Sequence, residues 1–244
     1  MKKAFTLAEV LVTLSIIGVV SALTVPTLSN KVQEQAFRQG MKRKYAEISS
    51  VLTKMTHDEQ PYFLGLPYTM NTEYANNPEL FGAYFKVMNN KYVKNVNQLD
   101  FNTGMGQIYS KSGAHKLTTI DGIDQGGWTY LAHGNDSIAF QTVDGAIYQW
   151  SQQMSYTGSD MSDSNQGVIV DVNGLKGPNR AGVDVFYFNI DYNSNGAAVL
   201  KATKTHAKHA KKDCCYGGNA KGWGCTLMFM QNPTYKIPKC SAIK

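Results

Sequence analysis

The 244-residue sequence predicts an α+β fold: a long N-terminal helix, membrane-spanning in its first half, packed on a small antiparallel β-sheet. Three observations predict it. An apolar run from Phe5 to Leu28 carries a single charge, Glu9. From Asn30 to about Met55, apolar residues recur at steps of three and four. Between Ser137 and Thr203 lie short runs of strand-forming residues divided by turn residues.

The first element is long enough to cross a bilayer, since about 24 residues at 1.5 Å rise span roughly 36 Å. A carboxylate inside such a segment costs of order 2.5–3.5 kcal/mol at the helix centre and less near an end. Glu9 therefore calls for a partner. A cut between Ala4 and Phe5 would create an α-amine at Phe5, about one helical turn from Glu9. In apolar surroundings the two opposite charges attract far more strongly than in water. In a bundle of identical helices, Glu9 of one subunit would meet the amine of the next and fix their axial register.

The second element continues the helix as an amphipathic one. Val32, Ala36, Phe37, Met41, Tyr45, Ile48, Leu52 and Met55 form one apolar stripe, with Lys, Arg, Gln and Glu elsewhere. Such a stripe packs on the protein's own core, here a sheet. Interruptions are expected at Pro26 and Gly40, and Thr56 to Pro61 ends the pattern.

The remaining elements are strands. Residues 58–136 are rich in Asn, Gly, Tyr and Pro, with a short helix expected over Glu79–Met88. Ser137–Val143, the pair Asp144-Gly145 and Ala146–Trp150 predict a hairpin with a two-residue turn. Gly167–Val172, Val183–Tyr192 and Ala197–Thr203 predict three further strands, the last reached by a turn at 193–196.

Lys2-Lys3-Ala4 followed by F-T-L-A-E and a long apolar helix resembles the N-terminal segment of type IV pilins and type II secretion pseudopilins. The resemblance covers Lys2 to about Leu28, and the α+β layout is pilin-like as well. It implies that a prepilin peptidase cuts after Ala4 and methylates the amine of Phe5. It makes Glu9 the assembly glutamate and Pro26 the position of a helix kink. One departure is Ala4, where the family usually has Gly before the cut. The implied organisation is a leader at 1–4, a membrane and filament-core helix at 5–28 and its amphipathic continuation at 29–57. An extracytoplasmic domain at 58–203 and a basic, cysteine-rich segment at 204–244 follow. The implied partners are like subunits or other pilins and pseudopilins, the prepilin peptidase, an inner-membrane assembly platform and membrane lipid. Lys2 and Lys3 favour an N-terminus inside the cytoplasmic membrane and a domain outside it. Two plainer alternatives exist. A secretory signal cleaved near Val20-Ser21-Ala22, or a plain anchor for an extracytoplasmic domain of other function, leaves Glu9 unexplained.

Three other features carry candidate chemistry. Residues 171–184 place Asp171, Asn173 and Asp184 around glycines in a tight loop, as a calcium ion requires. The same residues equally suit plain turns in which the two aspartates bond backbone amides. Cys214, Cys215, Cys225 and Cys240 are expected to form two disulfides in an exported domain. Bridging the adjacent pair requires a strained ring. That leaves 214–225 with 215–240, or 214–240 with 215–225. Zinc held by His206, His209 and the cysteines is the competing idea, disfavoured by location and spacing. Lys201, Lys204, Lys208, Lys211 and Lys212, with His206 and His209, form a basic block. It offers weak attraction to DNA, as in a DNA-binding minor pilin, or a solvated surface ribbon. No stacking aromatic lies within it.

No enzyme is expected. The chain has no G-x-S-x-G, no H-E-x-x-H and no phosphate-cradling glycine loop. His57, His115 and His133 have no identifiable catalytic companions in the sequence.

Overall fold

The computed structural model describes residues 6–58, 84–94, 117–123, 137–151, 166–174, 176–194, 198–202, 207–218 and 220–243. They fall into two compact units, Met1–Ala36 and Phe37–Lys244. A single helix, α1 (Leu7–His57), supplies most of the first unit and the first element of the second. Six strands follow: β1 (Val87–Lys94), β2 (Ser137–Thr142), β3 (Ile147–Ser151), β4 (Gln166–Asp171), β5 (Val185–Tyr192) and β6 (Ala198–Lys201). Two short helices, α2 (Ala207–Asp213) and α3 (Cys225–Gln231), and a 3₁₀ turn at Cys240–Ala242 complete the chain. The fold is α+β and pilin-like: a long apolar N-terminal helix plus a six-stranded antiparallel sheet.

The sheet is a meander in strict chain order, every neighbouring pair antiparallel. Its strands form where β-branched and aromatic residues alternate with polar ones. One face gathers Phe140, Tyr148, Val168, Val170, Phe186, Phe188, Ile190 and Leu200 into the core. Phe140 stacks on Tyr148 with ring centroids 5.1 Å apart, and Phe85 sits 5.0 Å from Tyr148. The apolar stripe of α1 joins them through Met41, Ile48, Val51, Leu52 and Met55, all at most 4% exposed. This is the packing the helical spacing predicted. Val32 and Ala36, at the top of that stripe, are exposed instead.

Four expectations are corrected. Helix α1 runs through Pro26 and Gly40 without a break. Proline costs one backbone bond, and a helix this long keeps enough others to bridge the gap. The hairpin loop has three residues, Val143, Asp144 and Gly145, because Thr142 N donates to Ala146 O at 2.9 Å. Gly145 takes φ +90° there, the bulge conformation that a three-residue hairpin needs. In the expected helix at Glu79–Met88, residues 79–83 lie outside the described residues. Tyr84–Lys86 are not helical, and Val87 and Met88 belong to β1. Phe85 is drawn to the sheet by Phe140 and Tyr148, which outweighs local helix preference. Strand β1 itself and helices α2 and α3 were not anticipated.

One charge is buried in this packing. Lys44, on α1, is 3% exposed. Its Nζ lies 2.6 Å from Asp144 Oδ2 in the hairpin loop and 2.9 Å from Glu47 Oε2. Tyr148 Oη donates to the same Glu47 oxygen at 2.9 Å. Burial pushes the Asp144 carboxyl up, but the Lys44 ammonium and the Thr142 hydroxyl pull harder and hold it below its usual range. A carboxylate held low adds stability above its unfolded pKa of about 4, and loses that contribution as pH falls through the folded value. Asp144→Ala is expected to cost about 1–2 kcal/mol at pH 7, since Glu47 still serves Lys44 and Asp144 is half exposed. In melting curves of wild type and variant, the difference should shrink below pH 4.

Candidate functional site

The N-terminal segment is built from local hydrogen bonds. Thr6 is the first residue described there, so Ala4 and Phe5 lie outside the described residues. Glu9 Oε2 accepts from the Thr6 backbone N–H and the Thr6 hydroxyl, both at 2.8 Å. Glu9 N donates back to Thr6 Oγ1 at 3.3 Å. This is a reciprocal capping box that satisfies otherwise orphan donors at the helix start. Its sequence signal, T-x-x-E, lies within F-T-L-A-E. The rest of the segment is exposed and apolar, Leu7, Leu11, Leu14, Ile16, Ile17, Val19 and Leu23 among it. Four of its hydroxyls are satisfied internally: Thr13 donates to Val10 O, Ser15 to Leu11 O, Thr24 to Val20 O and Thr27 to Leu23 O. Among the described residues, α1 is the helix long and apolar enough to cross a membrane.

The loop between β4 and β5 gathers the three residues singled out as cation ligands. Asp171 ends β4, and the register pairs it with Val185, so Asp184 returns to its side. Asp171 Oδ1 accepts from the N–H groups of Asn173 at 3.1 Å and Gly174 at 2.8 Å. Asp184 accepts from Asn179 N at 2.8 Å and Arg180 N at 2.7 Å, one bond to each oxygen. Both aspartates are fully buried. Burial, then the charge of Asp184, pushes the Asp171 carboxyl well above its usual range. Burial also raises Asp184, against the pull of the backbone amides of Arg180 and Asn179 and of the Asn173 side chain. Asn179, 2% exposed, stands beside them in the left-handed region at φ 51°. Sequence reasoning passed over it because G-P-N reads as an ordinary turn. Gly174, at φ +64°, lies against Gly145 O of the hairpin loop, where a Cβ would collide. Among the described residues, no group of three or more His, Cys, Asp or Glu side chains is placed to hold a metal ion.

The C-terminal segment is fastened three ways. Disulfides join Cys214 to Cys225 and Cys215 to Cys240, which selects one of the two connectivities the sequence left open. With all four sulfurs bonded, no thiolate is left for zinc. Beside the second disulfide, Tyr216 N donates to Pro238 O and Cys240 N donates to Tyr216 O. Arg38, on α1, donates from Nη1 to Tyr235 O at 2.7 Å and Pro233 O at 3.1 Å. Its guanidinium also lies 4.0 Å from the Phe229 ring centre, a cation–π contact. Of the basic block, Lys211 and Lys212 are exposed on α2, while Lys201 pairs with Asp191 at 2.6 Å. Lys204 and His206 lie outside the described residues. His57 is exposed beside Asp58, and His115 and His133 lie outside the described residues.

Replacing Cys215 and Cys240 together by serine should lower stability by about 3.5 kcal/mol on the loop-closure relation for a separation of 25 residues. Limited proteolysis should then cut first within 232–243, while the Cys214–Cys225 bridge persists on a non-reducing mass spectrum.

The family model described as the prokaryotic N-terminal methylation motif matches residues 1–25. This is the prepilin-type motif of type IV pilins and pseudopilins, and it points to a structural subunit that assembles with other pilin subunits. Motif and apolar helix together fit membrane anchoring. No curated protein and no solved structure matches the chain.

Proposed function

We propose that the chain is a structural subunit, a pseudopilin or minor pilin, of a type IV filament or type II secretion system. The observation that carries the reading is the methylation motif at the head of a long helix whose first half is exposed and apolar. The subunit waits in the cytoplasmic membrane with Lys2 and Lys3 inside and the domain outside. A prepilin peptidase cuts between Ala4 and Phe5 and methylates the new amine. An assembly platform then draws the subunit into a helical stack with like or related subunits.

Glu9 has two successive partners in this scheme. In the lone subunit its charge is satisfied by Thr6, so membrane residence requires no neighbour. In the stack the amine of an adjacent Phe5 offers a full positive charge in apolar surroundings, a stronger attraction than two neutral donors. Exchange of one for the other fixes the stagger. Pro26, which leaves one backbone carbonyl without its helical donor, is where the packed helix would yield. Location outside the cytoplasm accords with two disulfides.

The intact mass of protein purified from its native membrane tests the processing. The expected chain begins at Phe5, is one methyl group heavier and lacks four thiol hydrogens. A mature chain beginning elsewhere overturns the reading. Glu9→Ala should insert normally yet fall at least about tenfold in the sheared filament fraction, the loss of one buried ion pair. Undiminished incorporation removes the assembly role of Glu9.

A further inference from the structure

We propose that Lys44 and Asp144 join through a side-chain amide that the protein closes by itself, with Glu47 as the proton carrier. The inference is independent of the filament reading and starts from the ion pair that ties α1 to the β2–β3 loop. Lys44 Nζ lies 2.6 Å from Asp144 Oδ2. That approach puts the nitrogen about 3–3.5 Å from the carboxyl carbon, the separation of reacting atoms in a near-attack arrangement. The lysine is 3% exposed, and its nitrogen faces the Tyr148 ring between the two acids. An ammonium and a carboxylate together contain the atoms of one amide and one water. Well-oriented groups react as though at about 10⁵–10⁸ M, which stands in for prior activation of the acid.

Amide formation needs a nucleophile, a group to carry its proton and donors for the oxygen that becomes negative. Glu47 Oε2 lies 2.9 Å from the lysine nitrogen and is held by Tyr148 Oη, also at 2.9 Å. The two oxygens of Asp144 stand in different surroundings. Oδ2 faces the lysine. Oδ1 accepts from the Thr142 hydroxyl at 2.6 Å, and the Ala146 N–H points to it from 3.5 Å. Oδ1 is thus the oxygen that takes charge in a tetrahedral intermediate, and Oδ2 is the one that departs.

The step balances without an oxidant, a cofactor or a second substrate. Lys44 gives one proton to Asp144 Oδ2, which turns the ion pair into an amine and a carboxylic acid. Against the push of burial, Lys44 and Thr142 hold the Asp144 carboxyl low, so this neutral pair is a minor form and closure is slow. The Nζ lone pair attacks Cγ, and electron density moves onto Oδ1 between its two donors. Glu47 takes a second proton from Nζ and passes it to the Oδ2 hydroxyl. That group leaves as water while the carbonyl reforms at Oδ1, and Glu47 ends as it began. Asp144 is half exposed, so the water has a way out. The acid-sensitive ion pair is the precursor, and a closed chain no longer titrates there. The product fastens α1 covalently to the β2–β3 hairpin, as the two disulfides fasten the C-terminal segment.

The test uses the full chain in detergent, kept folded at neutral pH for several days and then reduced. Its intact mass should fall by one water beyond the changes of processing. Trypsin should release residues 44–54 joined to residues 117–176. Lys44→Arg and Asp144→Ala each lack one reacting group and should keep the water. Glu47→Gln should close at least about a hundredfold more slowly, with the far-ultraviolet circular dichroism of wild type. Wild-type protein that keeps its full mass overturns the proposal. So does a branched peptide at any other pair, or equal water loss in Lys44→Arg. Closure of Glu47→Gln at the wild-type rate overturns it too, since the amide would then form without its proton carrier.

Discussion

The second unit depends on the stretch of α1 between Phe37 and His57 being a spine and not merely a lid. Its buried stripe closes the sheet's apolar face, and its other contacts reach the C-terminal segment, the β4–β5 loop and the β2–β3 loop. Arg38 holds the carbonyls of Pro233 and Tyr235, so the C-terminal segment ends on the helix. Gly40 lets Val172, in the β4–β5 loop, approach to where a Cβ would stand 3.2 Å away. Lys44 pins the β2–β3 loop through Asp144. These three contacts fall at steps of two and four along the helix, and each needs its residue type for a different reason. Arginine supplies one terminal nitrogen whose two hydrogens serve both carbonyls and a planar cation that lies on the Phe229 ring. Glycine supplies room. Lysine supplies a stem long enough to cross the helix surface before its charge meets an acid.

Buried charge is handled in two opposite ways on this scaffold. Lys44 is almost wholly enclosed, yet it meets two carboxylates and faces the Tyr148 ring at 5.2 Å, so its charge is answered from within the protein. Asp171 and Asp184 are equally enclosed and meet neutral groups, backbone amides for both and the Asn173 side chain for Asp184. Those amides moderate the carboxylates without neutralising them, and burial still raises both. An internal cation answers the first problem.

Legibility followed the range of the interactions. Alternation and period decide strands and helices over five residues or more, and β2 to β6 and α1 lie close to where their patterns placed them. Strand β1 was missed because V-M-N-N-K-Y-V-K shows little alternation; it is recruited by pairing with β2 across a register irregularity. Helices α2 and α3 are seven residues each, too short for a period to declare itself, and are held by disulfides and by Asp213, which accepts from Lys221 N and Gly224 N. Within the candidate sites, residue identity was legible and geometry was not. The two aspartates and Asn173 stood out by their spacing, whereas Asn179 is marked only by its backbone conformation and its burial. Disulfide connectivity likewise needed the fold, because sequence spacing leaves more than one pairing open.

The capping box at Thr6 changes how the N-terminal charge is understood. An unpaired carboxylate in an apolar helix would favour premature association, since any cation within reach lowers its free energy. A carboxylate already bonded to a backbone amide and a hydroxyl is metastable instead: content alone, and still better satisfied by an ammonium. In the proposed filament, the difference between those two states would set the preference for assembly, and it is smaller than the bare cost of burying the charge. A threonine three residues ahead of the glutamate would then act as a buffer on subunit association. On this chain the buffer consists of two 2.8 Å hydrogen bonds onto a single carboxylate oxygen. Charge-assisted bonds of that kind are strong enough to stabilise the lone helix and weaker than an ion pair formed out of water.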